Sequence, residues 1–180
     1  MTTRSTRIAI ACLTLLTTAA ACSQPNQNVV QSTPSPATSP AGQRITSESV
    51  VKVAASPVEV AAGQSGDLVV RVTIQNGYHV NANPPTFSYL RATKLEISPS
   101  DGVSSASVAY PKAVTRKFPF AEESLAVYEG EAVLKATLKA DSAAKKGERS
   151  LPARLSIQAC DDQVCYPPGM IGVAIPVNVN

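Results

Sequence analysis

Alternation of apolar and polar residues over short runs most narrows what this chain can become. Asp67-Leu68-Val69-Val70-Arg71-Val72-Thr73-Ile74 is rich in β-branched residues, and Ala132-Val133-Leu134-Lys135-Ala136-Thr137-Leu138-Lys139-Ala140 alternates well. A period of two sends one set of side chains to a buried face and the other to water, so both runs predict half-buried strands. Shorter runs of the same kind lie at 50–55, 57–61, 93–97, 103–110, 151–159 and 171–179, separated by Gly, Pro, Asn and Ser. Asn76-Gly77 is a turn signal, and Tyr78-His79-Val80 is expected to follow directly across it. Asp141 to Glu148 reads as one helical turn or a charged loop. Eight or nine short strands with this punctuation predict an all-β fold, an immunoglobulin-like β-sandwich, in a single domain over 45–180.

The N-terminus carries different signals. Arg4 and Arg7 precede an uncharged apolar stretch, Ile8 to Ala21, too short to span a bilayer and ending in small residues. Residues 1–21 therefore read as a secretion signal. Ala19-Ala20-Ala21-Cys22 resembles a bacterial lipobox, departing from it at Ala19, where Leu is usual. The resemblance implies a lipid on Cys22 and a chain anchored to the membrane rather than spanning it. Ser23 in the next position favours the outer membrane by the same resemblance, and simple secretion is the alternative. Residues 22–44 are rich in Ser, Pro, Thr, Gln and Asn, cannot bury a core, and read as a disordered tether. Removing residues 1–21 takes away two arginines and leaves 14 basic against 13 acidic residues. With no basic cluster and no aromatic platform, nucleic acid is not an expected partner.

Cys12 leaves with the signal and Cys22 takes the lipid, so Cys160 and Cys165 remain as an even pair in an oxidising compartment. They lie between two predicted strands, at the end of a hairpin, where opposed positions can supply the roughly 4.4–6.8 Å between Cα atoms that a disulfide needs. Closing so short a ring stabilises a fold by only about 2 kcal/mol on a chain-entropy basis. That makes the pair a poor staple and a well-placed reversible couple. Asp161 and Asp162 would disfavour a thiolate by like-charge repulsion, or serve only as turn residues.

Two blocks, Ile74-Gln75-Asn76-Gly77-Tyr78-His79-Val80 and Gln158-Ala159-Cys160 through Cys165-Tyr166-Pro167-Pro168, with Val127-Tyr128-Glu129-Gly130-Glu131 between them, resemble the N-terminal periplasmic domain of the thiol:disulfide interchange protein DsbD. The resemblance covers the whole of 45–180. It implies an immunoglobulin-like domain that takes electrons from a thioredoxin-like domain and passes them to thioredoxin-fold proteins of the periplasm. Cys160 and Cys165 would be the redox pair, Cys165 forming the mixed disulfide with a partner and Cys160 resolving it. A loop bearing an aromatic residue would cover them; here that is 116–124, with Phe118 or Phe120 as the lid and core packing as the alternative. Tyr78 falls where that family has a tyrosine near the cysteines, and Tyr166 with its two prolines would shape the loop, a cis bond there being possible.

His79, the single histidine, points opposite to Tyr78 by strand alternation and is a candidate base only against the commoner readings of surface or core. No polytopic membrane segment and no thioredoxin-like Cys-x-x-Cys domain is evident, so a separate membrane thiol reductase or a dedicated thioredoxin-fold partner is expected. The chain would then be a protein-disulfide oxidoreductase that acts only with other proteins, with no cofactor. Two other readings stand beside it. One is a non-catalytic immunoglobulin-like binding lipoprotein with a structural disulfide. The other is a copper site built from Cys160, Cys165, His79 and Met170, whose spacing matches no metal motif.

Overall fold

A computed structural model describes residues 44–180. The expected signal segment, Cys22 and all but the last residue of the expected tether lie outside the described residues. A 3-10 turn, Ser47–Val50, opens the described chain, with Thr46 as its N-cap. Twelve strands follow: β1 (Val51–Ala55), β2 (Val58–Val60), β3 (Ser65–Ile74), β4 (His79–Asn81), β5 (Lys94–Ile97), β6 (Val103–Ser105), β7 (Val114–Arg116), β8 (Leu125–Tyr128), β9 (Glu131–Ala140), β10 (Gly147–Ile157), β11 (Ala159–Cys160) and β12 (Gly169–Val179).

They form three sheets, in the orders β1-β3-β9-β6, β2-β12-β10-β5 and β11-β4-β8-β7. The first two are the layers of an immunoglobulin-like sandwich. Alternation builds them: Leu68, Val70, Val72 and Ile74 of β3, and Ala132, Leu134, Leu138 and Ala140 of β9, are buried, while Arg71, Thr73, Lys135 and Lys139 face water. Leu151, Leu155 and Ile157 of β10 and Ile175, Val177 and Val179 of β12 bury the opposing face, and all belong to one core. Each such fully buried Leu, Ile or Val contributes about 1.5–3 kcal/mol, which is why the period-two runs dominate the architecture.

Several sequence expectations are corrected. Asn76-Gly77 does form a turn, with Gly77 at φ +85° and the Tyr78 N–H donating to the Gln75 carbonyl at 3.1 Å. It does not close a hairpin, however. Both edges of β3 are already paired, Val72 with Val53 on one side and Ala132 on the other, so β4 leaves for the third sheet. The strand expected over 103–110 ends at Ser105; the chain still follows β9, but Ser105 faces Leu138 and Ala109 faces Lys135, one residue too many on the 103–110 side, which is a bulge. Of the two readings of Asp141 to Glu148, the loop holds for 141–146, and only its end is corrected, since β10 starts at Gly147. The run expected over 151–159 breaks at Gln158, and the chain changes sheets to become β11. Among the described residues the single cis peptide is Asn83–Pro84, not one at Pro167 or Pro168.

Candidate functional site

β10 and β12 form one long antiparallel hairpin whose ladder closes at Ile157 opposite Gly169. The residues between, 158–168, carry the cysteines. Asp161 N–H donates to the Val164 carbonyl at 3.0 Å and Tyr166 N–H to the Ala159 carbonyl at 2.9 Å, so hydrogen bonds flank the Cys160–Cys165 pair without passing through it. That is the narrow position of an antiparallel ladder, where Cα atoms approach most closely. The two cysteines are disulfide-bonded with Cα atoms 3.9 Å apart, closer than the 4.4–6.8 Å expected from the sequence.

The tip of the loop is organised by Asp161. Its Oδ1 accepts the N–H groups of Gln163 and Val164, each at 2.8 Å, and its Oδ2 accepts the Tyr166 hydroxyl at 2.6 Å. The Tyr166 bond, then the two backbone bonds, hold the Asp161 carboxyl below the usual range, and the same bond pushes the Tyr166 phenol up to about 12. Asp161 is therefore a turn-forming residue in geometry and an anion in charge; Asp162 beside it is exposed.

The base of the loop is clamped from the N-terminal end of the domain. Ser47 is wholly buried; its hydroxyl donates to the Pro167 carbonyl at 2.6 Å and accepts the Ala159 N–H at 3.0 Å, tying both arms of the loop together. Glu48 Oε1 accepts the Met170 N–H at 3.1 Å. Sequence reading passed over Ser47. Thr46 and Ser49, which cap the turn reciprocally, are the visible hint that a structured turn begins there.

The third sheet has two buried faces, and this decides what meets the cysteines. Val80, Tyr128 and Ala159 point into the main core. The alternate residues, His79, Asn81, Val127 and Cys160, lie on the other face, beneath a second small cluster of Phe118, Leu125 and Val127 with Phe87, Leu90 and Ala121 against it. His79 stacks on Phe118, ring centroids 4.0 Å apart and 16° between planes, and Phe118 stacks on Phe120 at 5.3 Å. Phe118-Pro119-Phe120-Ala121 is a β-turn closed by the Ala121 N–H on the Phe118 carbonyl, with Pro in its favoured second position. Phe118 is buried and Phe120 is 40% exposed.

Phe120, Ala121, Glu122, Glu123 and Leu125 line one side of a recess of about 410 Å³, Phe87, Tyr89 and Leu90 the other, and Cys165 lies in its wall. Cys160 is wholly buried, whereas Cys165 is partly exposed. Tyr78 lies on the opposite side of the sheet, as alternation requires, packed against the main core with its ring centroid 6.0 Å from that of Tyr166. The Phe87–Tyr89 segment, stacked at 5.2 Å, was not anticipated; Phe87 is the third of only three phenylalanines, and its place after Pro84-Pro85 was the available signal. Met170 is 56% exposed, and no group of three metal-ligating side chains occurs among the described residues, so the copper reading gains no support from this arrangement.

A sandwich end that holds two cysteines in one strand-like bridge, one sulfur buried and the other beside an aromatic-walled recess, defines an immunoglobulin-like domain with an accessible disulfide. The chain belongs to the family described as thiol:disulfide interchange protein DsbD, N-terminal, whose profile matches residues 46–170. Among solved structures, the reduced DsbD N-terminal domain of Neisseria meningitidis is 21% identical over 74% of this chain and 90% of its own, with a TM-score of 0.47. The N-terminal periplasmic domain of ScsB from Proteus mirabilis is 15% identical over 69% of this chain, with a TM-score of 0.50, and the match spans 45% of that protein's chain. Comparison with curated proteins gives no match.

Proposed function

We propose that Cys160 and Cys165 form a reversible dithiol–disulfide couple that exchanges electrons with thioredoxin-fold proteins of the periplasm. The observation that carries this reading is the asymmetry of the pair, Cys165 partly exposed at the recess and Cys160 buried behind it. Disulfide exchange requires a thiolate to reach one sulfur in line with the bond that breaks, and only Cys165 offers that approach. A partner thiolate attacks Cys165 Sγ, the bond to Cys160 Sγ breaks, and Cys160 leaves with the electron pair and takes up a proton. The partner's second thiolate then attacks the mixed disulfide, releasing Cys165 as a thiol and leaving the partner oxidised. In the opposite direction Cys165 attacks a partner disulfide and Cys160 resolves the product.

In this proposal residues 1–21 are a signal peptide, Cys22 carries lipid, 22–44 tether the domain to a membrane, favourably the outer one, and 45–180 are the redox domain. Electrons enter from a separate membrane thiol reductase or a dedicated thioredoxin-fold partner. Phe118 and Phe120 form the cover, Phe118 fixing it to the sheet and Phe120 screening Cys165, while Tyr166 with Tyr78 supports the loop. The deciding measurement is the reduction potential of the pair by thiol trapping in glutathione and dithiothreitol buffers. A value between about −180 and −270 mV supports electron transfer, with a Cys160→Ser variant then trapping the partner; a value below about −300 mV with no exchange means a structural bond.

A further inference from the structure

His79 is 2% exposed, and its Nε2 is buried with no hydrogen-bond partner. Orphaned polar atoms of this kind are scarce in folded proteins and need a reason. Here the reason lies across the strand. His79 of β4 is paired with Cys160 of β11, so the two side chains share the covered face of the third sheet, and Cys160 is in turn bridged to Cys165. Opposed side chains in such a pair have Cβ atoms about 4.5–5.5 Å apart. In the disulfide state Cys160 has no proton to give, and its sulfur is a weak acceptor. Once reduced, Cys160 acquires a thiol proton on the same buried face as the imidazole of His79.

We infer that His79 is the proton acceptor for Cys160, the group that makes the buried thiol a nucleophile when it resolves a mixed disulfide at Cys165; the inference rests on the redox reading above. The balance is as follows. Cys165 is joined to a partner sulfur and Cys160 is a thiol. His79 Nε2 takes the Cys160 proton, Cys160 Sγ attacks Cys165 Sγ, the bond to the partner breaks, and the partner sulfur leaves with the electron pair. The proton then passes from His79 to that leaving thiolate or to water, and His79 returns to neutral. The reverse reaction uses the same groups: His79, protonated at Nε2, gives that proton to the departing Cys160 thiolate and returns to neutral.

A buried thiol ionises poorly without such help. The neighbouring charges do not compete for the role. Asp161 is occupied by Tyr166 and two backbone N–H groups, and Asp162 is exposed on the loop. Glu129, after β8, is held by Arg116 of β7 through two nitrogens, and Lys117 of the cover donates to the Glu122 carbonyl. Burial first of all lowers the His79 pKa, with Glu129, Asp162 and Asp161 opposing it, so the imidazole is neutral and able to accept a proton near neutral pH.

The test uses the full chain with Cys12→Ser and Cys22→Ser, so that the pair supplies the only thiols, and glutathione disulfide as the probe. Acid-quenched mass spectrometry resolves attack by Cys165 on the probe from release of glutathione by Cys160. His79→Phe, which preserves a ring against Phe118, and His79→Gln, which preserves hydrogen bonding, should each slow the second step roughly 10- to 100-fold at pH 7 and much less at pH 9.5, where hydroxide replaces the base. The slowing should be confined to that step. Resolution at the unaltered rate across this pH range in either folded variant overturns the inference. If the unaltered pair never forms the glutathione adduct, the redox reading itself fails and the inference falls with it. An independent readout is the proton resonance of the single histidine, which should titrate differently in the disulfide and dithiol states; identical curves overturn the assignment.

Discussion

Asp161 joins loop geometry to loop electrostatics through one hydrogen bond, the 2.6 Å contact with Tyr166. The phenol raised to about 12 stabilises the fold fully below the ordinary tyrosine value near 10 and loses that contribution as pH rises through about 12. Asp161→Asn keeps an acceptor for the Gln163 and Val164 N–H groups and removes the negative charge beside the Tyr166 hydroxyl, so ultraviolet titration should show one tyrosine returning towards 10. His79 has the opposite sign. Its lowered value means the unfolded chain binds the proton first, so stability falls as pH drops through about 6.5, and His79→Phe should lose less stability between about pH 7 and pH 5 in denaturant melts. The two phenylalanines of the proposed cover should also separate. Phe118→Ala empties the second cluster and should cost about 3 kcal/mol, whereas Phe120→Ala should cost under about 1 kcal/mol and make Cys165 react faster with dithiothreitol. The pairing of the two cysteines and the placing of both phenylalanines in one segment beside them were legible in the sequence. Which ring is buried was not, because it depends on a stack with His79 from a segment some forty residues earlier.

The Ser47 clamp belongs to the scale of elements, since one hydroxyl holds the 3-10 turn against both arms of the cysteine loop. Ser47→Ala leaves the Ala159 N–H and the Pro167 carbonyl without their partner and should cost about 1–3 kcal/mol. Hydrogen exchange should accelerate over 158–168 before the β10–β12 ladder; uniform acceleration would show instead that the clamp serves the whole fold. β8 illustrates what a period cannot reveal. Leu125, Val127 and Tyr128 are all buried, because β8 lies between the main core and the cover, so no polar–apolar alternation marks it. β7 is three exposed residues on an edge and has no apolar face to read. By contrast β3, β9, β10 and β12 are buried on one face only and were legible to within a few residues. The missed hairpin at Asn76-Gly77 has the same origin: turn chemistry is local, but the vacancy of a strand edge is decided by partners far away in sequence.

For the molecule as a whole, the disulfide should add little to folding. The core that unites the two large sheets is built without it, and a ring closed across so few residues contributes about 2 kcal/mol. The double variant Cys160→Ala, Cys165→Ala should therefore remain folded, with its urea midpoint lowered by no more than that amount implies and its m-value unchanged. A collapse of cooperativity would show that the bond is structural after all. The sandwich was readable from the sequence because both large layers alternate cleanly. The small third sheet was not, yet it is the part that arranges Cys160, His79 and the cover. β12 runs from Gly169, at the foot of the cysteine loop, to Val179, a span of about 33 Å at roughly 3.3 Å per residue. A fluorophore or capture handle joined at Asn180 would thus hang from the pole of the domain remote from the thiols, leaving the recess beside Cys165 open to a docking protein while reporting on it.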